Sequence, residues 1–215
     1  VLPECIPAGL TTPFVILGET ARGKTNALKV ILEQITGRGK VYLLDSKDME
    51  LYHYRSGDEI HYIGADGIDA FLMELGGLVT ARNQQLQQKM KEHPEQLPRR
   101  LVQELDACYV VVDEWDDFVE ATKLKAVLLA PILSGALFSG IQFILTANSG
   151  KLKGFDEITK FAKTTTDGLL VGNPGSTGIF GTVAAKELPQ LSDGLLFHNG
   201  AYVRIRIPKC EDREE

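Results

Sequence analysis

Two kinds of hydrophobic pattern alternate along the chain. Short unbroken apolar runs at 13–17, 40–45, 108–112, 140–146 and 168–172 predict strands buried on both faces. Between them lie stretches whose apolar residues return every three or four positions, the signature of a helix with one buried face. The segment 26–35 is apolar at 27, 28, 31, 32 and 35, and Gly37 supplies a stop. From 66 to about 90, Ile68, Phe71, Leu72, Leu75, Leu78, Val79, Leu86 and Met90 keep helical spacing, weakened at Gly76-Gly77. The segment 123–138 is helical in pattern with a break or kink at Pro131, and 155–161 reads as a short helix. Period-two alternation marks 59–63 as a strand. It also marks 194–197 and 201–207 as the arms of a hairpin about Asn199-Gly200. Strands alternating with helices imply an α/β fold, a mostly parallel, doubly wound sheet flanked by helices with a C-terminal β-hairpin. No apolar run approaches the ~20 residues needed to span a bilayer.

The junction of the first strand and first helix carries the chemistry. Gly18-Glu19-Thr20-Ala21-Arg22-Gly23-Lys24-Thr25 fits G-x-x-x-x-G-K-S/T, with the strand before it and the helix, opening at Asn26, after it. In such a loop, backbone N–H groups converge on an anion and the helix dipole adds positive potential. Lys24 would reach the β- and γ-phosphates, and the Thr25 hydroxyl would ligate Mg²⁺. An ordinary glycine-containing turn is the plainer alternative, and the flanking elements argue against it.

A second signal lies about 90 residues on. The apolar strand Cys108-Tyr109-Val110-Val111-Val112 ends in Asp113-Glu114. Asp113 would sit in the Mg²⁺ shell and Glu114 would polarise an attacking water as general base. Asn148 falls just past the 140–146 strand, where a side chain could sense the γ-phosphate. Asp45 ends the second strand, where sheets of this kind present site residues, although a turn or cap residue is its simpler reading. His61, Trp115 and Arg82 read as structural: a strand histidine without metal-ligand spacing, a core indole, and an arginine on the apolar side of its helix suited to an ion pair.

Composition narrows the partners. The 215 residues are 44% hydrophobic and 24% charged, which suits one domain, 1–215, ending in a charged tail at 211–215. A net charge of −6 argues against autonomous DNA binding. Cys5, Cys108 and Cys210 are isolated, in line with free thiols in a reducing compartment. The chain starts without Met, which suggests excision from a longer protein.

These motifs resemble FtsK/SpoIIIE-type RecA-like P-loop NTPases. The resemblance is carried by Pro13 to Thr20 leading to Gly-Lys-Thr-Asn, the Val-Val-Val-Asp-Glu strand, and Gly140-Ile141-Gln142-Phe143-Ile144-Leu145-Thr146-Ala147. The leading Ile6 to Leu10, the Val41-to-Asp45 strand with Leu51, and the ending 168–172 through Leu188-Pro189 to 195–197 look like a C-terminal ATPase module of the type VII (ESX/WXG100) secretion motors of the EssC/EccC family. The resemblance implies a cytoplasmic domain of a membrane-anchored protein with tandem ATPase modules, forming a homo-hexamer that exports WXG100-type proteins. ATP and Mg²⁺ would be held by Gly18 to Asn26, Asp113, Glu114 and Asn148, with an arginine supplied in trans. Two departures stand out. The usual Gly-Ser before Gly-Lys is Ala21-Arg22, which puts turnover in doubt, and Asn148 replaces a Gln that family motors follow with Arg-Pro. A DNA translocase or conjugative coupling ATPase is a second reading, and a degenerate substrate-binding or regulatory module a third.

Overall fold

The computed structural model describes residues 12–152, 154–172, 179–180 and 192–210. The expected lead-in before residue 12, the turn at 173–176, the Leu188-Pro189 stretch, Cys5 and the charged tail lie outside the described residues. Eight strands form one sheet in the order β3-β2-β4-β5-β1-β6-β7-β8. They are β1 (Phe14–Gly18), β2 (Lys40–Leu44), β3 (Ile60–Ile63), β4 (Cys108–Val112), β5 (Ile141–Asn148), β6 (Asp167–Val171), β7 (Asp193–His198) and β8 (Ala201–Arg206). The six from β3 to β6 are mutually parallel, and β7 and β8 add antiparallel at one edge. The expected α/β sheet and terminal hairpin are therefore both present. Asn199 and Gly200 turn the hairpin with φ of 49° and 80°, the pair of positive values that a tight two-residue turn needs.

The central strands are continuous apolar runs because each is covered twice. On one face, α1 (Lys24–Ile35) packs Ala27, Leu28, Ile31, Leu32 and Ile35 against Phe14, Ile16, Val41, Leu43, Val111 and Ile144. Each fully buried aliphatic chain of this kind contributes about 1.5–3 kcal/mol of transfer free energy. On the other face lie α2 (Ile68–Glu92), α4 (Trp115–Thr122), α5 (Ala126–Phe138) and α6 (Glu157–Lys163), against Val15, Leu17, Tyr42, Leu44, Val110, Val112, Phe143 and Leu145. Gly76-Gly77 does not interrupt α2, whose Leu72, Leu75 and Val79 are anchored in the core on either side. A short helix, α3 (Pro98–Gln103), fills the connection before β4.

Two expectations change. Trp115–Phe138 forms a 24-residue helical stretch, interrupted in type only by a 3-10 turn at Lys123–Lys125, and it is long and apolar enough by length and composition to cross a membrane. Counting only consecutive apolar residues missed it, because Asp116, Asp117, Glu120, Lys123 and Lys125 punctuate its first half. In this fold Trp115, Phe118, Leu129, Leu133 and Ala136 pack into the core, while Leu124, Val127, Leu128 and Phe138 are exposed. Pro131 stays inside α5.

Arg82 is the second correction. Its guanidinium pairs with backbone carbonyls where an ion pair was expected: Nε donates to Ser139 O and an Nη to Asp106 O, both at 2.9 Å. Ser139 caps the C-terminus of α5, where carbonyls lack intrahelical donors and the dipole favours a cation. Arg82 therefore ties α2 to the end of α5 and the entry to β4. Arg82→Met should keep the stem's packing yet strand the buried Ser139 carbonyl and free the partly buried Asp106 one to water, lowering stability by about 1–3 kcal/mol. A urea unfolding midpoint unchanged from wild type would refute that assignment.

Candidate functional site

At the C-terminal ends of the parallel strands, β1 hands over to α1 through the loop 18–23. Gly18 is required there, since a Cβ would sit 2.6 Å from a Val171 side-chain carbon and 2.7 Å from the Val171 carbonyl. Gly23 has φ 89° and Ala21 φ 57°, so the loop needs two left-handed residues and fills only one with glycine. Gly23 provides no side-chain cap to α1, and the first turn holds no acidic residue. The first intrahelical bond is Ala27 N–H to Gly23 O, which leaves the N–H groups of Lys24, Thr25 and Asn26 without intrahelical acceptors. An uncapped helix start behind a left-handed loop fits an anion.

The acids meet this loop. Lys24 is nearly fully buried, and its ammonium lies 3.0 Å from Glu114 Oε1 and 3.3 Å from Glu19 O. Glu114 takes a left-handed backbone (φ 51°), held because its N–H donates to Thr146 Oγ1 at 2.7 Å. The same hydroxyl donates to Asp113 Oδ1 at 2.8 Å. One threonine at the end of β5 thus orients both acids. The neighbouring Trp115 is completely buried and stacks on Phe161 with ring centres 5.8 Å apart, which fixes the start of α4 beside them. The indole packs in the core, as expected.

Asp113 is 3% exposed, and burial pushes its carboxyl up to about 6. The Thr146 hydrogen bond opposes that shift, while Glu114 and Asp45 add to it. A buried carboxylate whose neighbours are acids fits a divalent cation. Thr25 lies one residue past Lys24 on α1, half-buried, where its hydroxyl would share that ion.

The remaining candidates divide. Asn148 reaches the loop, with Nδ2 donating to Thr20 Oγ1 at 3.1 Å and Oδ1 accepting from Gly150 N. Arg22 lays its aliphatic stem against Gly172, and its guanidinium is 3.7 Å from Glu19, an exposed pair of little energetic weight. Asn26 turns away from the loop: its Nδ2 donates to Pro208 O at 2.9 Å and its Oδ1 accepts from Cys210 N at 2.8 Å, tying the chain after β8 to α1. His61 is exposed on the edge strand beside Tyr42, and no cluster of metal-binding side chains occurs among the described residues. Thr146 is the residue that sequence reasoning missed. Its signal was a polar residue at the end of an apolar strand, passed over in favour of Asn148.

No family model matches the chain. The ESX secretion system protein YukB of Bacillus subtilis (strain 168) is 23% identical over 223 residues, covering 100% of this chain and 14% of its own length. The ESX secretion system protein EccC of Geobacillus thermodenitrificans (strain NG80-2) is 24% identical over 205 residues, with coverage of 92% and 14%. The chain thus spans about one seventh of the curated relatives it matches, 14% in each case. Among solved structures, the cytoplasmic domain of EssC superposes with a TM-score of 0.77 at 25% identity, covering 92% of this chain and 40% of that one. Thermomonospora curvata EccC (ATPases 2 and 3), solved with a signal sequence peptide, shares the fold at TM-score 0.68 and 19% identity, over 94% and 38% of the two chains. Over nearly its whole length, then, the chain is similar to one ATPase module of EssC and EccC, and the fold is that of P-loop ATPases.

The shift at Asp113 has a sign that can be tested. Its folded value of about 6 lies above the ordinary 3.8, so the ionised group opposes folding at neutral pH. That cost is full above pH 6 and fades as pH falls towards 4, where the folded protein holds the proton. In EDTA, Asp113→Asn should raise stability by about 1–3 kcal/mol at pH 7.5 and by nearly nothing at pH 4. A gain independent of pH, read from urea titrations, would mean that charge is not the cause.

Proposed function

We propose, from this likeness to an EssC/EccC ATPase module, that the chain binds ATP with Mg²⁺ as a motor module of type VII secretion, driving or regulating export of WXG100-type proteins. One observation carries the reading: the Lys24 ammonium meets the Glu114 carboxylate at 3.0 Å, with Asp113 next to it at the end of β4, in front of the uncapped start of α1. Loop N–H groups and Lys24 would hold the phosphates, and Thr25 and Asp113 the metal. Magnesium would supply neutralisation of phosphate charge. Glu114, once Lys24 turns to a phosphate, is free to accept a proton from water, and Asn148 stands beside Thr20 to register the terminal phosphate.

The acidic balance of the chain supports a protein cargo over nucleic acid, and the signal sequence peptide on the Thermomonospora EccC fits such a cargo. The exposed Leu124, Val127 and Leu128 on the α4–α5 stretch suit burial against other ATPase modules in a longer chain or a hexamer. We place the module on the cytoplasmic side of the membrane-anchored motor, in keeping with the cytoplasmic EssC domain it matches. A regulatory module that binds ATP and turns it over slowly is a second reading, favoured by Ala21 in a left-handed conformation and by the Lys24–Glu114 pair.

Titration with a fluorescent ATP analogue tests the binding. Lys24→Ala should weaken affinity about 30- to 100-fold, the loss of a charge-assisted contact in a buried site. Glu114→Gln should instead tighten it severalfold, because the competitor for the ammonium is neutralised, while any turnover falls. Unchanged affinity in Lys24→Ala would remove the loop from the account.

A further inference from the structure

The strand register brings a third polar side chain level with Asp113 and Thr146. Leu44 pairs with Val112 and Val112 with Leu145, so Asp45, Asp113 and Thr146 occupy one layer at the ends of β2, β4 and β5. The Asp113 N–H donates to Leu44 O at 2.9 Å, which locks Asp45 beside it. All three follow by two residues a side chain packed against α1, namely Leu43, Val111 and Ile144, so they point to the face where α1 begins.

Asp45 is 9% exposed, and its two oxygens are treated differently. Oδ2 accepts from the Tyr62 hydroxyl at 2.7 Å and from Leu51 N–H at 3.3 Å. Oδ1 is buried and no hydrogen bond of good geometry reaches it among the described residues, the Ser46 N–H nearby only easing the carboxyl's desolvation. A buried charged acceptor left without a hydrogen bond opposes folding, so its retention calls for a partner. If the residue served only to hold the 46–51 loop and Tyr62, an asparagine would do as well without a second buried charge. Burial raises the Asp45 carboxyl above its ordinary range, and the Asp113 carboxyl in turn feels Asp45.

We propose that Asp45 Oδ1 is a second acidic anchor for the divalent cation of this site, accepting from a water in the ion's shell beside Asp113. The inference rests on the nucleotide reading above. Glu50, which also adds to the field at Asp45 and Asp113, lies on the same loop and reinforces the preference for a cation. Asp113 would hold the ion, and Asp45 would act as a positioning residue.

Mn²⁺ is the probe. Affinity for the fluorescent ATP analogue is measured in EDTA and across a Mn²⁺ titration, with bound Mn²⁺ followed by its electron paramagnetic resonance. Asp45→Asn should leave the EDTA affinity near wild type and the urea midpoint in EDTA at or above it, yet raise the Mn²⁺ concentration needed about 10- to 100-fold, the range for loss of a partner behind a metal ligand. Asp45→Glu should recover part of that loss. Tyr62→Phe removes a contact of Oδ2 and should leave the Mn²⁺ dependence near wild type. Wild-type Mn²⁺ dependence in Asp45→Asn, or an equal shift in Tyr62→Phe, overturns the inference. If Lys24→Ala leaves the EDTA affinity untouched, the nucleotide reading fails and takes this one with it; a loss there beside a silent Asp45→Asn sinks the metal anchor alone.

Discussion

A buried ammonium and a buried carboxylate cannot both be left without counter-charge in a sheet packed on two faces, and that constraint shapes this end of the molecule. Lys24 sits at the start of α1 with 5% exposure and Asp113 at the end of β4 with 3%. Their attraction is not spent on each other directly: Lys24 goes to Glu114, and Asp113 goes to the Thr146 hydroxyl. Each charge is partly satisfied and each keeps capacity for a further partner. The left-handed backbone at Glu114 is the local cost, of order 1–2 kcal/mol. It turns the carboxylate toward α1 and lets the next residue, Trp115, enter the core.

The rest of the fold serves this arrangement. Parallel strands place all their C-terminal ends on one edge, so residues far apart in sequence arrive in one layer by register alone. Strand β5, between β4 and β1, delivers Thr146 to the acids and Asn148 to the loop within one three-residue span. At the other end of these strands Arg82 ties the Ser139 carbonyl at the end of α5 to the Asp106 carbonyl ahead of β4, so that β4 and β5 enter the sheet from a fixed base.

The sheet, the loop and the two acids were legible in the sequence because their signals are local. An apolar run, a glycine-lysine spacing and a pair of acids after a strand can each be read within ten residues. What escaped was set by tertiary register or rotamer. Asn26 follows the lysine and threonine in the motif, yet its amide finds two backbone partners at Pro208 and Cys210, more than 180 residues on. Thr146 and Asn148 lie two apart on β5 and share a face, so strand alternation could not choose between them. The register does, setting Thr146 level with the acids and Asn148 level with Gly18. Arg82 was placed on the buried side of its helix correctly, but its partners are backbone carbonyls, which carry no residue signature. The long apolar stretch from Trp115 to Phe138 was hidden by charges clustered in its first half.

The Ala21-Arg22 departure bears on what the loop can still do. A phosphate cradle is made of backbone N–H groups, so it depends on φ and ψ more than on side chains. Ala21 adopts the left-handed value that a glycine would supply, and the surrounding loop, with Gly23 and the start of α1, bears the strain. The cradle's shape therefore survives the substitution. What changes is stiffness and charge: an alanine held left-handed has fewer alternative conformations than glycine, and Arg22 spreads its stem over Gly172 at the end of β6. On the nucleotide reading proposed above, a loop pinned in this way would keep its anion-binding form but resist the rearrangements that release products. That is the physical basis for expecting retention of nucleotide to outlast fast turnover in this module.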